Sequence, residues 1–499
     1  MHFELVQNFP FFTILMCLIC AVVCSVVSTK VARLINTCLL LAVTVMSVMT
    51  FLFVLGTGES YVYMMGHFPA PWGNEIRVGL LEAFMATFFA VIMLLSMTGG
   101  RHKLLEEVEE DKRRLYYILV NLLLSSLLAL IYTNDLFTAY VFVEINTISA
   151  AGLIMIRRIG RTIEAAVRYM IMSLLGSGLL LMGICMLYDL TGHLLMSNIK
   201  TQVAVLAGDP NFRVPLMITI TIMSVGLCIK CALFPFHAWL PDAYGYSTVS
   251  SAAMLSSLVS KGYIFLLIKI IYRVIGFGVY RDSRIINILY VFALCGMIFG
   301  SVSAIRESDL KRMIAFSSVA QIGYIFMGIG MGTKAGMVAA IFHILTHAAT
   351  KSLLFISAIG LTDVSGYSRS FFEITGAGYR NKVAGVGFTV GSLSMVGVPM
   401  FSGFVSKYLF SYSAVQLSGE MMPSLICLAI STILNAIYFM KTVIRIYTPV
   451  NDGRYETIKS SSNRLYAATM IGFIAINILL GINSHPIVQI IEKGLEMFQ

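Results

Sequence analysis

Apolar stretches close to the length of a membrane crossing follow one another from about Phe11 to Gly481. In hydrocarbon, an α-helix is the structure that satisfies every backbone N–H and C=O group within a single crossing segment. About fourteen such stretches can be laid end to end, at 9–28, 31–55, 79–98, 115–132, 135–156, 164–188, 214–240, 246–275, 285–304, 311–330, 335–361, 383–414, 422–446 and 465–482. This predicts an all-α polytopic membrane protein. Only 12% of the residues are charged, against roughly 25% in an ordinary soluble domain. The longest polar segments, Gly56 to Arg77, Arg101 to Arg114 and Asn451 to Arg464, are each too short for a domain.

The net charge of +10 does not indicate nucleic acid, because the basic residues are spread over loops rather than gathered on one soluble face. Of the 35 Lys and Arg, about 21 fall in alternate loops, 7 in the opposite loops and 7 within spans or the C-terminal tail. This is the positive-inside bias. With an even number of spans it predicts both termini on the outer side of a cytoplasmic membrane. The first apolar stretch lacks a positively charged leader and runs straight into further spans, so it is expected to be the first helix rather than a signal peptide.

The two CxxC spacings, Cys17/Cys20 and Cys228/Cys231, lie inside apolar spans without a second ligand pair, so core packing is expected there and no metal. No haem-attachment, dinucleotide or phosphate-binding motif occurs. The chain is therefore expected to carry no cofactor and no catalytic residue of its own.

Two spans are interrupted. Phe234-Pro235-Phe236 breaks the seventh, and the run from Gly397 to Phe404 breaks the twelfth. Proline removes an N–H and clashes with the preceding turn, which frees carbonyls at membrane depth. The breaks lie five spans apart, as two five-helix repeats would place them, and a lysine precedes one break (Lys230) and follows the other (Lys407). Matched interruptions of this kind point to a transport site between inverted repeats. The expected organisation is 1–114 for spans 1–3, 115–275 for the first repeat, 276–447 for the second and 448–499 for the last span and tail.

Ionisable residues stand inside several spans, where a charge is costly and usually functional. Glu144 lies in AYVFVEINTISAAG, with Lys230 as its candidate partner. Lys261 follows a run of small residues, whereas Lys269, nearer its span end, is expected to snorkel. His343, His347 and Lys351 recur at spacings of four, on one helix face, and imidazole is suited to passing protons near neutral pH. The histidine pair lacks the glutamate of a zinc motif. His237, beside the first break, and Glu82, in the third span, are accessory candidates. Lys407 follows the second break.

The runs KCALFPFHAWLPDAY (230–244), SDLKRMIAFSSVAQIGYIFMGIG (308–330), HILTHAATKSLLF (343–355) and GVPMFSGFVSK (397–407) resemble the antiporter-like subunits shared by complex I, Mrp cation/proton antiporters and membrane-bound hydrogenases. The likeness is to a medium, Mrp D-like subunit without a long lateral helix. It implies fourteen helices with inverted repeats, a Glu144/Lys230 pair, a central Lys261, connecting histidines and a terminal Lys407. Tyr244 and the stretch Gly245-Tyr246-Ser247-Thr248 depart from the histidine and Ala-Pro loop common in that family, and Glu82 stands where many relatives carry aspartate.

The expected function is proton translocation in a multisubunit respiratory complex of hydrogenase or complex I type. Its expected partners are other antiporter-like and small membrane subunits, a hydrophilic redox arm and lipid. Sodium/proton exchange of the Mrp type is the alternative, and a non-pumping scaffold is the reading from another class.

Overall fold

The computed structural model describes residues 2–68, 73–417, 419–449 and 464–498. The polar segment 451–463 lies outside the described residues, as do 69–72 of the segment after the second span. Among the described residues, thirteen unbroken helices are long and apolar enough to cross a membrane. Two shorter helices, Lys382–Val396 and Ser402–Val415, occupy the place of the expected twelfth span.

The spans differ in what surrounds them. The eighth (Val249–Ile275) and eleventh (Lys334–Asp363) are buried along their length, and the tenth (Leu310–Gly330) nearly so. The first (Phe9–Val26), second (Thr29–Thr57) and fourteenth (Arg464–Ile482) leave about two thirds of their residues facing outward. The outer spans are among the most apolar and the inner ones among the least. That order is physical, because lipid contact demands apolar side chains whereas an interior span can carry polar groups that its neighbours satisfy.

Both expected breaks are present. The seventh span stops at Cys231, capped by Ala232 in the left-handed region (φ 59°), and helix resumes at Leu240. The twelfth stops at Val396, capped by Gly397 (φ 90°), and resumes at Ser402. At each stop the last amides turn back onto the preceding carbonyls: Ala232 donates to Cys228 and Ile229, and Gly397 to Leu393 and Ser394. The eighth span carries a third irregularity, a π-turn at Leu255–Val259 immediately before Lys261. A second π-turn follows at Ile270–Ile275.

Elements not read from the sequence cover one end of the bundle. Tyr61–Met64 and Glu75–Val78 form an antiparallel hairpin, and Met196–Leu206 and Ser484–Glu496 are short helices beyond the spans. The opposite end, carrying the polar segment Arg101–Arg114 with its short helix Arg101–Glu107, is laced by ion pairs. Lys103 meets Asp363 at 2.7 Å and Glu106 at 2.9 Å, and Arg168 meets Asp242 at 3.0 Å. Burial alone would lower the affinity of Lys103 for its proton, but the Asp363 and Glu106 carboxylates reverse this and hold its pKa above the ordinary value.

Candidate functional site

Lys230 ends the seventh span at the break and is 1% exposed. Its Nζ donates to Thr147 Oγ1 at 2.8 Å and to Ser173 Oγ at 2.9 Å, and it lies 5.2 Å from the Tyr263 ring centre. Glu144 is an electrostatic neighbour beyond ion-pair contact. The direct pair expected between them is thus replaced by hydroxyl contacts. Thr147, almost one turn after Glu144, is the fifth-span residue that touches the ammonium. Glu144 itself keeps Oε1 buried without a hydrogen-bond partner, among Tyr140, Tyr169 and Tyr263.

Lys261 is completely buried, and its Nζ donates to the Ser256 carbonyl at 2.5 Å. A π-turn shifts the backbone hydrogen-bond register and recurs at functional sites; here the turn's own carbonyls are taken up by side chains. Tyr244 donates to the Leu255 carbonyl at 3.2 Å and lies 2.9 Å from Ser260 Oγ. The tyrosine that departs from the family pattern therefore supports the turn under Lys261. The same turn is stitched to the tenth and eleventh spans by Ser256 to Ser318 (3.1 Å) and Ser257 to Ser352 (2.5 Å). Cys231 is the buried thiol facing both Lys230 and Lys261.

The eleventh span brings its row alongside. Lys261 faces His347, His343 and Lys351 electrostatically. Lys351 Nζ donates to the Ile314 carbonyl at 3.0 Å and to Ser317 Oγ. The two imidazoles are 6.2 Å apart, centre to centre. His343 places Nδ1 2.6 Å from Ser406 Oγ and stacks on Tyr324 at 5.4 Å. Both ring nitrogens of His347 are buried without a protein partner. Lys407 lies 5.9 Å from the Tyr324 ring centre and donates to the Val396 carbonyl at the second break, at 2.6 Å.

The structure therefore brings Glu144, Lys230, Lys261, His347, Lys351, His343 and Lys407 into one file between the two breaks. His237 and Glu82 stand apart from it. His237 stacks on Phe234 at 5.3 Å beside the Pro235 backbone. Glu82 is completely buried in an ion pair with Arg273 and accepts the Gly79 amide at 3.2 Å. Phe498 covers that pair, 4.1 Å from the Arg273 guanidinium. Lys269 does not snorkel as expected. It is completely buried and donates to the carbonyls of Leu130, Ile131 and Thr133, at 3.3, 2.8 and 2.5 Å. A cation is favoured there, at the C-terminal end of the fourth span.

Sequence reasoning also passed over Lys311. It is buried, donates to the Ser247 carbonyl at 2.6 Å, and lines a cavity of about 480 Å³ on the basic face with Lys103, Glu107, Arg157 and Arg369. Its position at the head of an apolar span was the available signal.

The sequence profile of the family described as NADH:quinone oxidoreductase/Mrp antiporter, TM matches residues 133–434. NADH-quinone oxidoreductase subunit N of Desulforudis audaxviator is 31% identical over 391 residues, covering 78% of this chain and 76% of that protein. The fold is shared with a chain of the membrane-bound sulfane sulfur reductase, an archaeal respiratory membrane complex: TM-score 0.87 at 24% identity, over 99% of this chain and 98% of that one. It is shared equally with a chain of the Mrp complex from Dietzia sp. DQ12-45-1b: TM-score 0.85 at 23% identity, over 98% and 97% of the two chains.

Proposed function

The chain belongs to the NADH:quinone oxidoreductase/Mrp antiporter membrane family, and from that premise we propose that it is a proton-translocating, antiporter-like subunit of a multisubunit respiratory complex. One observation carries this reading. Lys230, Lys261, Lys351 and Lys407 have their ammonium groups bound by neutral oxygens, and among the described residues none has a carboxylate within ion-pair distance.

A buried lysine locked to a carboxylate must stay charged, because losing its proton would strand the partner. Hydroxyl and carbonyl oxygens impose no such penalty. The hydroxyls beside Lys230 and Lys351 can donate to the neutral amine as readily as they accept from the ammonium, and the carbonyls beside Lys261 and Lys407 still accept an N–H of the neutral amine, so each lysine of the file can hold or release a proton. The file is also close enough for coupling. Charging one member disfavours charge on the next, and interacting sites of this kind titrate together. A proton arriving beside Lys261 would thus weaken the hold of the histidine row on its own charge, and displacement would pass through His347 and His343 to Lys407. At the other end Glu144, with one oxygen unpartnered, stands as the acidic neighbour of Lys230.

The matched left-handed stops at Ala232 and Gly397 support two inverted repeats, 115–275 and 276–447, flanked by 1–114 and 448–499. The basic face is the cytoplasmic one, with both termini outside. The relatives' membership in multisubunit membrane complexes supports neighbouring membrane subunits, and the driving step belongs to a hydrophilic redox arm elsewhere in the assembly.

The test is proton movement by the complex in sealed vesicles, followed with an enclosed pH-sensitive dye. Redox turnover in sodium-free medium is expected to build the full proton gradient. Proton movement that requires a sodium gradient and ignores redox turnover would instead establish the Mrp-type exchange reading.

A further inference from the structure

Asn477 is the one polar side chain between Met470 and Ile482 of the fourteenth span, a span that buries Met470, Phe473 and Leu480 on the same side and leaves most of its other residues facing outward. Asn477 is completely buried. Its Oδ1 accepts from three hydroxyls on three separate pieces of chain. Thr350, beside Lys351 in the eleventh span, donates at 2.7 Å. Ser394, just before the second break, donates at 3.3 Å, and Ser402, just after it, at 3.2 Å. Ser394 and Ser402 also lie 3.2 Å from each other. The amide nitrogen is spent on the Phe473 carbonyl of its own helix, at 3.0 Å.

One turn further along the same face, Gly481 lies against the break itself. A Cβ there would meet the carbonyl of Met400 and, at 2.7 Å, the carbonyl carbon of Phe401. The outermost span thus reaches the second break through two residues four apart. This resting place has a direct consequence for the file. Lys407 is held by the Val396 carbonyl, which belongs to the piece of chain that Ser394 ties down, and Lys407 itself rides on the piece that begins at Ser402.

We propose that Asn477 is a positioning residue that clamps the two halves of the broken twelfth span onto the eleventh and so sets the contact between Lys407 and the Val396 carbonyl. An amide in hydrocarbon is costly unless satisfied, and here a single oxygen takes all three hydroxyls. Asn477 lies outside the region that the family profile matches, whereas its three hydroxyl partners lie within it. Its importance for transport rests on the role proposed above for Lys407.

The acceptor logic makes an unusual forecast for two near-isosteric replacements. Asn477→Asp keeps Oδ1 as the shared acceptor, and in its protonated form the other oxygen carries an O–H that can donate to the Phe473 carbonyl in place of the amide. Asn477→Leu suits the apolar helix but removes the one acceptor that Thr350, Ser394 and Ser402 share, leaving Thr350 to the Thr346 carbonyl and the two serines to each other. If the residue merely packs, leucine is tolerated and aspartate is not. If it clamps, the order reverses.

The experiment uses the full chain in its complex. Modification of Lys407 by a water-soluble amine reagent is followed by peptide mass spectrometry against half-exposed Lys334 as internal reference, together with proton transport. Asn477→Leu is expected to raise Lys407 modification by about fivefold, as the loss of one net hydrogen bond implies, and to depress transport. Asn477→Asp is expected to keep modification close to the parent. If Asn477→Leu fails to assemble, Ser402→Ala gives the same readout with a smaller rise. Lys407 protected in the leucine variant and opened in the aspartate variant would overturn the clamp. Raised modification with transport unchanged would uphold it and instead refute the role of Lys407 in translocation.

Discussion

Replacing Lys230 with methionine is expected to abolish proton translocation while leaving the protein at least as stable as the parent. The two effects have one cause. Lys230 is an ammonium in the bundle interior whose hydrogen-bond partners are the neutral hydroxyls of Thr147 and Ser173, so the folded state bears most of its desolvation cost. Methionine is of similar length and uncharged, so the exchange removes a desolvation penalty on the order of several kcal/mol for a buried ion. The two hydroxyls are not orphaned, since they already lie 3.4 Å apart. A structural lysine would behave in the opposite way. Thermal unfolding of the solubilised complex and dye-reported proton uptake in vesicles check both halves, and normal uptake by Lys230→Met would remove the residue from the path.

Glu82→Ala is expected to do the reverse, causing a large loss of stability. Its carboxylate is the ion-pair partner of Arg273, both being almost completely buried. Removing one member of such a pair leaves a bare guanidinium in the interior, a loss of about 3–5 kcal/mol. The Phe498 ring over Arg273 offsets only a part of that, since a cation–π contact contributes about 2 kcal/mol even when desolvated. The amount of chain recovered from membranes should therefore fall steeply. The double variant Glu82→Ala/Arg273→Met removes the stranded charge, so it is expected to recover both assembly and transport. Assembly without transport in the double variant would assign Glu82 to the proton path rather than to the scaffold.

These two acidic and basic sites show what a membrane sequence displays and what it hides. Charged residues within apolar spans stand out because hydrocarbon makes them rare, so Glu144, Lys230, Lys261, the histidine row and Lys407 could all be picked out as candidates. The two breaks were legible because proline and glycine interrupt a helix for reasons local to the backbone. The partners were not legible. Thr147, Ser173, Ser256 and Asn477 are unremarkable in a helix, and their roles depend on which face of one span meets which face of another. The Glu144/Lys230 pair illustrates this: the right spans meet, but the residue in contact is Thr147.

Lys269 departs from the snorkelling expectation for a related reason. Snorkelling assumes that a span end opens to water, whereas this end is covered by the hairpin at Tyr61–Val78 and the helix at Met196–Leu206. Both arise from segments that carry little hydropathy signal. The π-turn before Lys261 is likewise invisible in VSSAAMLSSLVS, because one extra residue per turn changes no composition.

His347 offers the most direct test of the file as a conductor. It is completely buried, and neither ring nitrogen has a protein hydrogen-bond partner, so His347→Leu removes a titratable group from the middle of the row without breaking any protein hydrogen bond. The measurement is the initial rate of redox-driven proton uptake by vesicles carrying the intact complex, with redox turnover recorded in the same sample. The expected result is an assembled complex whose proton uptake falls by roughly 10²-fold or more, the lower range for loss of a positioned proton-transfer group. Uptake at the parental rate in the leucine variant would show that protons do not pass along this row.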